Sequence, residues 1–286
     1  MSTLRQKHQA GQFTITVELD PPKSSSAQKT FDEAARLYGK VDAINIADCP
    51  MSRMRMSPIA LSHLLMHHEH IETIFHLTCR DRNIIGLQSE LLGAAALGVN
   101  NILTLTGDQP GRGDHPQAKP VFEINSMGLA KVATQLNNGY DFMGNELDEC
   151  THFYIGTSAN PGAANIENEI TRLRAKKEAG AQFVQTQPIY DLDKAEYFTE
   201  QVADLNMPIL LGLIPLKSFK MAMYLHDKVP GISLTQDILD RMEQGGKQAG
   251  LEIALETLKK IQKIASGVHI MPLNDIDTVL YLIEHM

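Results

Sequence analysis

TIFHLTCRDRNIIGLQSELLGAAALGVNNILTLTGD (residues 73–108) holds two short strand-like runs around one helical pattern. TIFHLTC (73–79) and NILTLTG (101–107) are apolar and rich in β-branched residues. NIIGLQSELLGAAAL between them reads as a helix ending at Gly98, a predicted C-cap. Two strands joined through a crossover helix pair in parallel. The alternation continues in both directions. Further strands are predicted at TITVELD (14–20), DAINIAD (42–48), HFYIGTS (152–158), QFVQTQP (182–188), PILLGLI (208–214) and VHIMPL (268–273). SPIALSHLLMHHEH reads as a helix with Ser57 at the N-cap and Pro58 at the first helical position. NIENEITRLRAKKEA ends at Gly180 as the earlier helix ends at Gly98. Two or three helices, LEIALETLKKIQKIA among them, precede the eighth strand, and DIDTVLYLIEHM closes the chain.

Eight such units close most economically into a (β/α)8 TIM barrel, with a doubly wound open sheet as the rival. The expected fold class is therefore α/β, a single domain over residues 1–286, since no linker or low-complexity run divides the chain. The strand spacing widens over residues 108–151, which predicts a long insertion after the fourth strand, on the face where barrels carry their active sites.

The chain has 286 residues, 43% of them hydrophobic, enough for a sizeable core. A net charge of −8 argues against nucleic acid or an anionic membrane as the main partner. Cys49, Cys79 and Cys150 have no CxxC spacing, so neither a disulfide framework nor a zinc site is expected. The polar start MSTLRQKHQAGQ has no apolar core of a signal peptide, and no run of about 18 apolar residues is present. A cytoplasmic protein is the expectation.

Strand alternation then sorts the side chains. In TITVELD, Ile15, Val17 and Leu19 would face the helices and Glu18 the barrel interior. In TIFHLTC, Phe75 and Leu77 go out while His76 and Thr78 go in, and Cys79 is a core residue. Thr104, Thr106 and Asp108 point in from the fourth strand, Gln185 and Gln187 from the sixth, and Asn45 from the second. Glu18, His76, Asp108 and Gln187 thus come from four strands, all near C-terminal ends. They form either a ligand site or a hydrogen-bonded plug filling the lumen. The cost of burying carboxylates without partners favours the site.

Other motifs say less. TGDQPGRGDHP is a turn-rich loop that either wraps a ligand or merely connects elements; it matches neither GxGxxG nor a Walker A sequence. HHEH (67–70) reads as a solvated helix end, because metal-binding pairs on a helix want i, i+4 spacing. MSRMRM (51–56) reads as a flexible loop over the barrel mouth, with Arg53 or Arg55 available to an anionic ligand.

The segments ELDPPK (18–23), HLTCRDRN (76–83), LTGD (105–108), TQPIYD (186–191) and GLIPLKSFK (212–220) resemble the methylenetetrahydrofolate reductase family of flavin-containing (β/α)8 enzymes. ADCP (47–50) and MPLN (271–274) match more loosely. The stretch from His76 is similar to the reductase half of bifunctional homocysteine methyltransferase/methylenetetrahydrofolate reductases.

The resemblance implies reduction of 5,10-methylenetetrahydrofolate to 5-methyltetrahydrofolate. It makes Glu18 the general acid and places Asp108 beside pterin and flavin. Gln187, Tyr190 and Phe219 become substrate contacts, although Phe219 also reads as a core helix residue. For the cofactor it implies Asn45, Ala47, Asp48, His76, Gly107, Asp108, Asn160, Glu169 and Lys176. Lys176 would pair with phosphate, where its pattern alone reads as a solvated helix lysine. FAD ranks ahead of FMN. NADH, NADPH or an electron-donating partner subunit would supply electrons, and a homo-oligomer or a complex with that subunit is expected. No metal site is implied.

The chain departs from better-known members at three places. Thr106 stands where they carry arginine, and Gly156 and Asn160 where they carry tyrosine and histidine. Two rival readings remain. A flavin-free barrel lyase or aldolase would need a Schiff-base lysine or metal ligands at strand ends, which the matched strands lack. A folate- or flavin-binding subunit without turnover would have no use for Glu18.

Overall fold

A computed structural model describes residues 2–229 and 231–286. Eight strands close in chain order: β1 (Thr14–Leu19), β2 (Ala43–Ile46), β3 (Thr73–Thr78), β4 (Asn101–Leu105), β5 (Tyr154–Ala159), β6 (Phe183–Pro188), β7 (Ile209–Leu213) and β8 (Gly267–Ile270). The open-sheet alternative is thereby excluded. The helices are α1 (Thr3–Gln9), α2 (Gln28–Leu37), α3 (Pro58–His68), α4 (Ile84–Ala96), α5 (Ser126–Asn137), α6 (Ile166–Glu178), α7 (Leu192–Gln201), α8 (Phe219–Lys228), α9 (Gln236–Ile264) and α10 (Ile276–His285). Among the described residues, no helix is long and apolar enough to cross a membrane.

The chain clusters into two compact units. One comprises Met1–Gln6, Glu18–Thr157 and Ala175–Gln182; the other comprises Lys7–Val17, Ser158–Arg174 and Phe183–Met286. In the first, β2 to β5 pair in parallel, with Ile44 opposite Thr73, Phe75 opposite Ile102 and Asn101 opposite Tyr154. The outward set of β3 does what alternation requires. Phe75, Leu77 and Cys79 pack with Leu87 and Leu91 of α4 and with Leu129 and Val132 of α5. Phe75 meets Phe153 edge to face, with ring centroids 6.3 Å apart. Burying one such side chain contributes about 2–3 kcal/mol. Burial also pushes the Cys79 thiol up to about 12, so it is an inert core group.

In the second unit, Thr14 to Val17 of β1 pair with β8, and β8 pairs with β7. Tyr190, Ile214, Leu225, Met242 and Ile253 form its core beneath α8 and α9.

The helix boundaries follow local chemistry. The Ser57 hydroxyl accepts from the Ala60 amide ahead of Pro58. The Asn83 carboxamide caps α4 by accepting from Gly86 at 2.9 Å. Gly98 and Gly180, at φ 76° and 109°, close α4 and α6 in the left-handed region.

One expectation needs correction. The insertion after β4 does not lie wholly on the active-site face. It splits around α5, and residues 138–153 follow that helix, so they form an αβ connection at the N-terminal ends of the strands. The two or three helices read before β8 are α8 and α9, the latter interrupted at Gly246 (φ 52°), where the backbone leaves the helical region.

Candidate active site

On β1, Thr16 fixes which face is inward. Its hydroxyl accepts from Gln185 Nε2 at 3.0 Å and lies 3.0 Å from His269 Nδ1, all three residues being buried. Glu18 is two residues further along and shares that face, half-buried near the strand's C-terminal end. Val17 and Leu19, of opposite parity, are buried. Just beyond the strand, loss of hydration and repulsion from Glu18 raise the Asp20 pKa above 3.8 even though the residue reaches solvent.

In the same unit, Asn45 and His76 meet across β2 and β3, with Nδ2 2.9 Å from Nε2 in a buried setting. Ala47 is buried immediately after β2. The Asp48 carboxylate accepts from the Thr78 amide at 2.9 Å, the Thr78 hydroxyl at 2.8 Å and Arg82 Nη1 at 2.8 Å. Asp48 therefore ties the end of β3 to the loop after β2. That role leaves only its backbone and remaining lone pairs for a ligand.

Beyond β4, Gly107 adopts φ 95°, and a Cβ there would meet Thr78 Cβ at 2.9 Å. Only glycine lets the chain turn so close to β3. Gly107→Ala is expected to destabilise the protein by about 1–3 kcal/mol, read from a urea midpoint. An unchanged midpoint would contradict this reading of the turn. Asp108 follows with an exposed side chain, its carbonyl accepting from Ser52 Oγ at 3.0 Å. Among the positions that depart from better-known members, the Thr106 hydroxyl accepts from the Ser126 amide at 3.1 Å, anchoring the start of α5. The Gly156 carbonyl accepts from Thr104 Oγ1 at 3.0 Å.

Four features around this half went unassigned by the sequence. Cys49, Met51 and Ser52 all have positive φ, a strained turn directly after β2. Arg80 is 3% exposed, with Nε 2.9 Å from Asp81 and Nη1 3.2 Å from the Cys49 carbonyl. Arg82 pairs with Asp48, as above. A cavity of about 240 Å³ lies between Cys49, Ser52, Arg80, Asp81, Pro110 and His115. The two arginines stand just after the β3 residues matched to the family, which is the signal that could have found them.

Three loops are clasped by one carboxylate. Asp114 accepts from Lys23 Nζ at 2.8 Å and the Met54 amide at 3.0 Å, and lies 2.8 Å from His115 Nδ1. The loop of residues 51–56 is thus tethered rather than free. Those hydrogen bonds, Lys23 first, hold the Asp114 carboxyl below the ordinary carboxylate range. A depressed pKa means that the clasp's stability is present above pH 3.8 and is lost as pH falls through the lower folded value. Asp114→Ala is expected to speed tryptic cutting at Arg53 and Arg112 several-fold, read by mass spectrometry; unchanged cutting would refute the clasp.

On α6, Glu169 Oε1 accepts from the Asn160 amide at 3.0 Å, and Arg172 lies 3.5 Å from Oε2. The Asn160 carboxamide accepts from the Gly162 amide at 3.0 Å. Lys176, two turns beyond Glu169 along the helix, is 5% exposed. This corrects the solvated-lysine alternative, since a buried lysine is held for a reason.

In the second unit, a β-bulge between Gln185 and Pro188 interrupts the alternation of β6. Gln185 is buried, and Gln187 is exposed at the strand end. The Tyr190 hydroxyl donates to the Ile214 carbonyl at 2.8 Å and its ring is in the core, where burial raises its pKa. Phe219 opens α8, half-buried against the same core.

The family profile described as methylenetetrahydrofolate reductase matches residues 3–286. "Methylenetetrahydrofolate reductase 1" of Schizosaccharomyces pombe is 24% identical, covering 96% of this chain and 46% of that protein. "Methylenetetrahydrofolate reductase (NADH) 1" of Zea mays is 27% identical over 71% of this chain and 36% of its own. The "5,10-methylenetetrahydrofolate reductase" of Salmonella typhimurium is 23% identical over 88% of this chain and 83% of its own. The chain therefore spans less than half the length of the first two and most of the third. A Clostridium thermocellum protein, described as binding two copies of 5-methyl-5,6,7,8-tetrahydrofolic acid, has the same fold. Its TM-score is 0.67 at 15% identity, covering 99% of this chain and 98% of that one.

Proposed function

The chain belongs to the methylenetetrahydrofolate reductase family, and from that premise we propose that it reduces 5,10-methylenetetrahydrofolate to 5-methyltetrahydrofolate with a bound flavin. The observation that carries the reading is Glu18. It is a half-buried carboxyl on the inner face of β1, at the position matched to the family's general acid.

The residues fit a flavin. Gly107 turns in a conformation that a Cβ would block. Asn45 and His76 offer a buried polar pair, and Lys176 is a buried cation on α6. Backbone groups at Ala47, Gly107 and Asp108 supply donors and acceptors for the ring. Asp48 supports them by holding β3 and its loop together. Lys176 pairs with phosphate. Glu169 accepts from the Asn160 amide, and the two residues would hold the cofactor's ribose and phosphate groups. FAD is the expected form, with FMN as the alternative.

When bound and reduced, the flavin supplies a hydride to the substrate's one-carbon unit. The protein's part begins with Glu18, which delivers a proton to N10 of the folate and opens the five-membered ring to a 5-iminium cation. A carboxyl group serves as an acid near neutral pH when partial burial raises its pKa. The exposed Asp108 carboxylate hydrogen-bonds the pterin and favours the developing positive charge. Gln187 holds the pterin amide and Phe219 lines the pocket, while Tyr190 positions the wall through its bond to Ile214. Electrons come from NADH or NADPH, or from a partner subunit in the alternative reading. The maize relative is named for NADH.

Purified protein incubated with FAD or FMN and then desalted tests the cofactor. Retention of one of them, with its absorbance band near ~450 nm, supports the reading. A protein that retains neither contradicts it.

A further inference from the structure

We propose that the barrel end opposite Glu18 binds an oxyanion-bearing metabolite of up to mononucleotide size. A cavity of about 670 Å³ opens there, large enough for such a ligand. Its lining includes Thr73, Asn101 and Tyr154, the first residues of β3, β4 and β5. Ser2, Thr3 and Arg5 close over it from the N-terminal segment. Barrel chemistry belongs to the other rim, so this pocket is separate from the site described above.

The charges in the pocket are unevenly committed. The Glu72 carboxylate is consumed by four donors: the Ser2 and Thr3 hydroxyls, the Leu4 amide and Asn101 Nδ2. Arg5 lies with its guanidinium carbon 5.6 Å from the centre of the Tyr154 ring. Among the described residues no carboxylate pairs with it, so its planar fork of donors is open to an oxyanion. His70 and His152 also line the cavity and add donors.

The buried polar groups point to the rest of the ligand. Asn101 is 3% exposed and Thr73 1% exposed, yet Asn101 Oδ1 and Thr73 Oγ1 have no hydrogen-bond partner. Orphaned buried acceptors are rare and call for a donor. Two such atoms beside an arginine and a tyrosine face describe a site for an anion attached to a group carrying N–H or O–H donors.

The test is calorimetric titration of the whole protein, pre-saturated with FAD, using AMP, adenosine and inorganic phosphate as probes. One equivalent of AMP is expected to bind, more tightly than either fragment. Arg5→Ala is expected to weaken AMP at least about tenfold, and Arg5→Lys less, because the charge remains while the fork is lost. Far-UV circular dichroism and thermal melting verify that each variant folds. Absence of AMP binding up to about 1 mM would overturn the proposal. So would displacement of AMP by FAD, phosphate binding as tight as AMP, or wild-type affinity in both folded Arg5 variants.

Discussion

Replacing Glu18 by glutamine is expected to lower methylenetetrahydrofolate reduction by about 10²–10⁴-fold, the usual contribution of a positioned acid. The amide is nearly isosteric and still accepts hydrogen bonds, but it holds no transferable proton at neutral pH. Flavin binding is expected to stay within about twofold of wild type, as is the steady-state rate with an artificial dye acceptor, because neither needs a proton delivered to N10. The combination separates an acid from a packing residue. A residue that merely shapes β1 would, when changed, disturb both half-reactions together. Wild-type folate turnover in Glu18→Gln would remove the assigned role.

Lys176→Met is expected to weaken flavin binding by about 10–100-fold, equivalent to losing a charged hydrogen bond of about 1.5–3 kcal/mol. Methionine keeps much of the aliphatic bulk and removes the ammonium. Fluorescence quenching of FAD on titration gives the affinity directly. Equal affinities for the two proteins would return Lys176 to a structural role on α6.

The barrel was legible because its strands are buried on both faces. TIFHLTC and PILLGLI read as near-continuous apolar runs bounded by glycine, proline and cap residues, the signature of parallel strands. Ser57 and Asn83 cap their helices through local chemistry that needs no tertiary knowledge. Parity alone put Phe75 and Leu77 in the core and Gln185 on the inner face.

What parity could not carry was any departure from regular pairing. The register of β6 shifts between Gln185 and Pro188, and no residue in VQTQP announces it. The insertion after β4 showed its length but not its division around α5. The burial of Lys176 is opposed by its own pattern, RAKKEA, and only the family resemblance singled it out. Tyr190 shows the converse. It lies inside a matched motif, yet its hydroxyl is spent on the Ile214 carbonyl, a long-range contact that spacing does not reveal.

The central claim concerns transfer between reduced flavin and folate on this chain, and a single anaerobic mixing experiment reaches it. The flavin-loaded protein is photoreduced until its ~450 nm band is bleached, then mixed with 5,10-methylenetetrahydrofolate. The account predicts that the band returns and that one equivalent of 5-methyltetrahydrofolate appears per flavin. A band that stays bleached with folate, yet recovers with a dye oxidant, would contradict it.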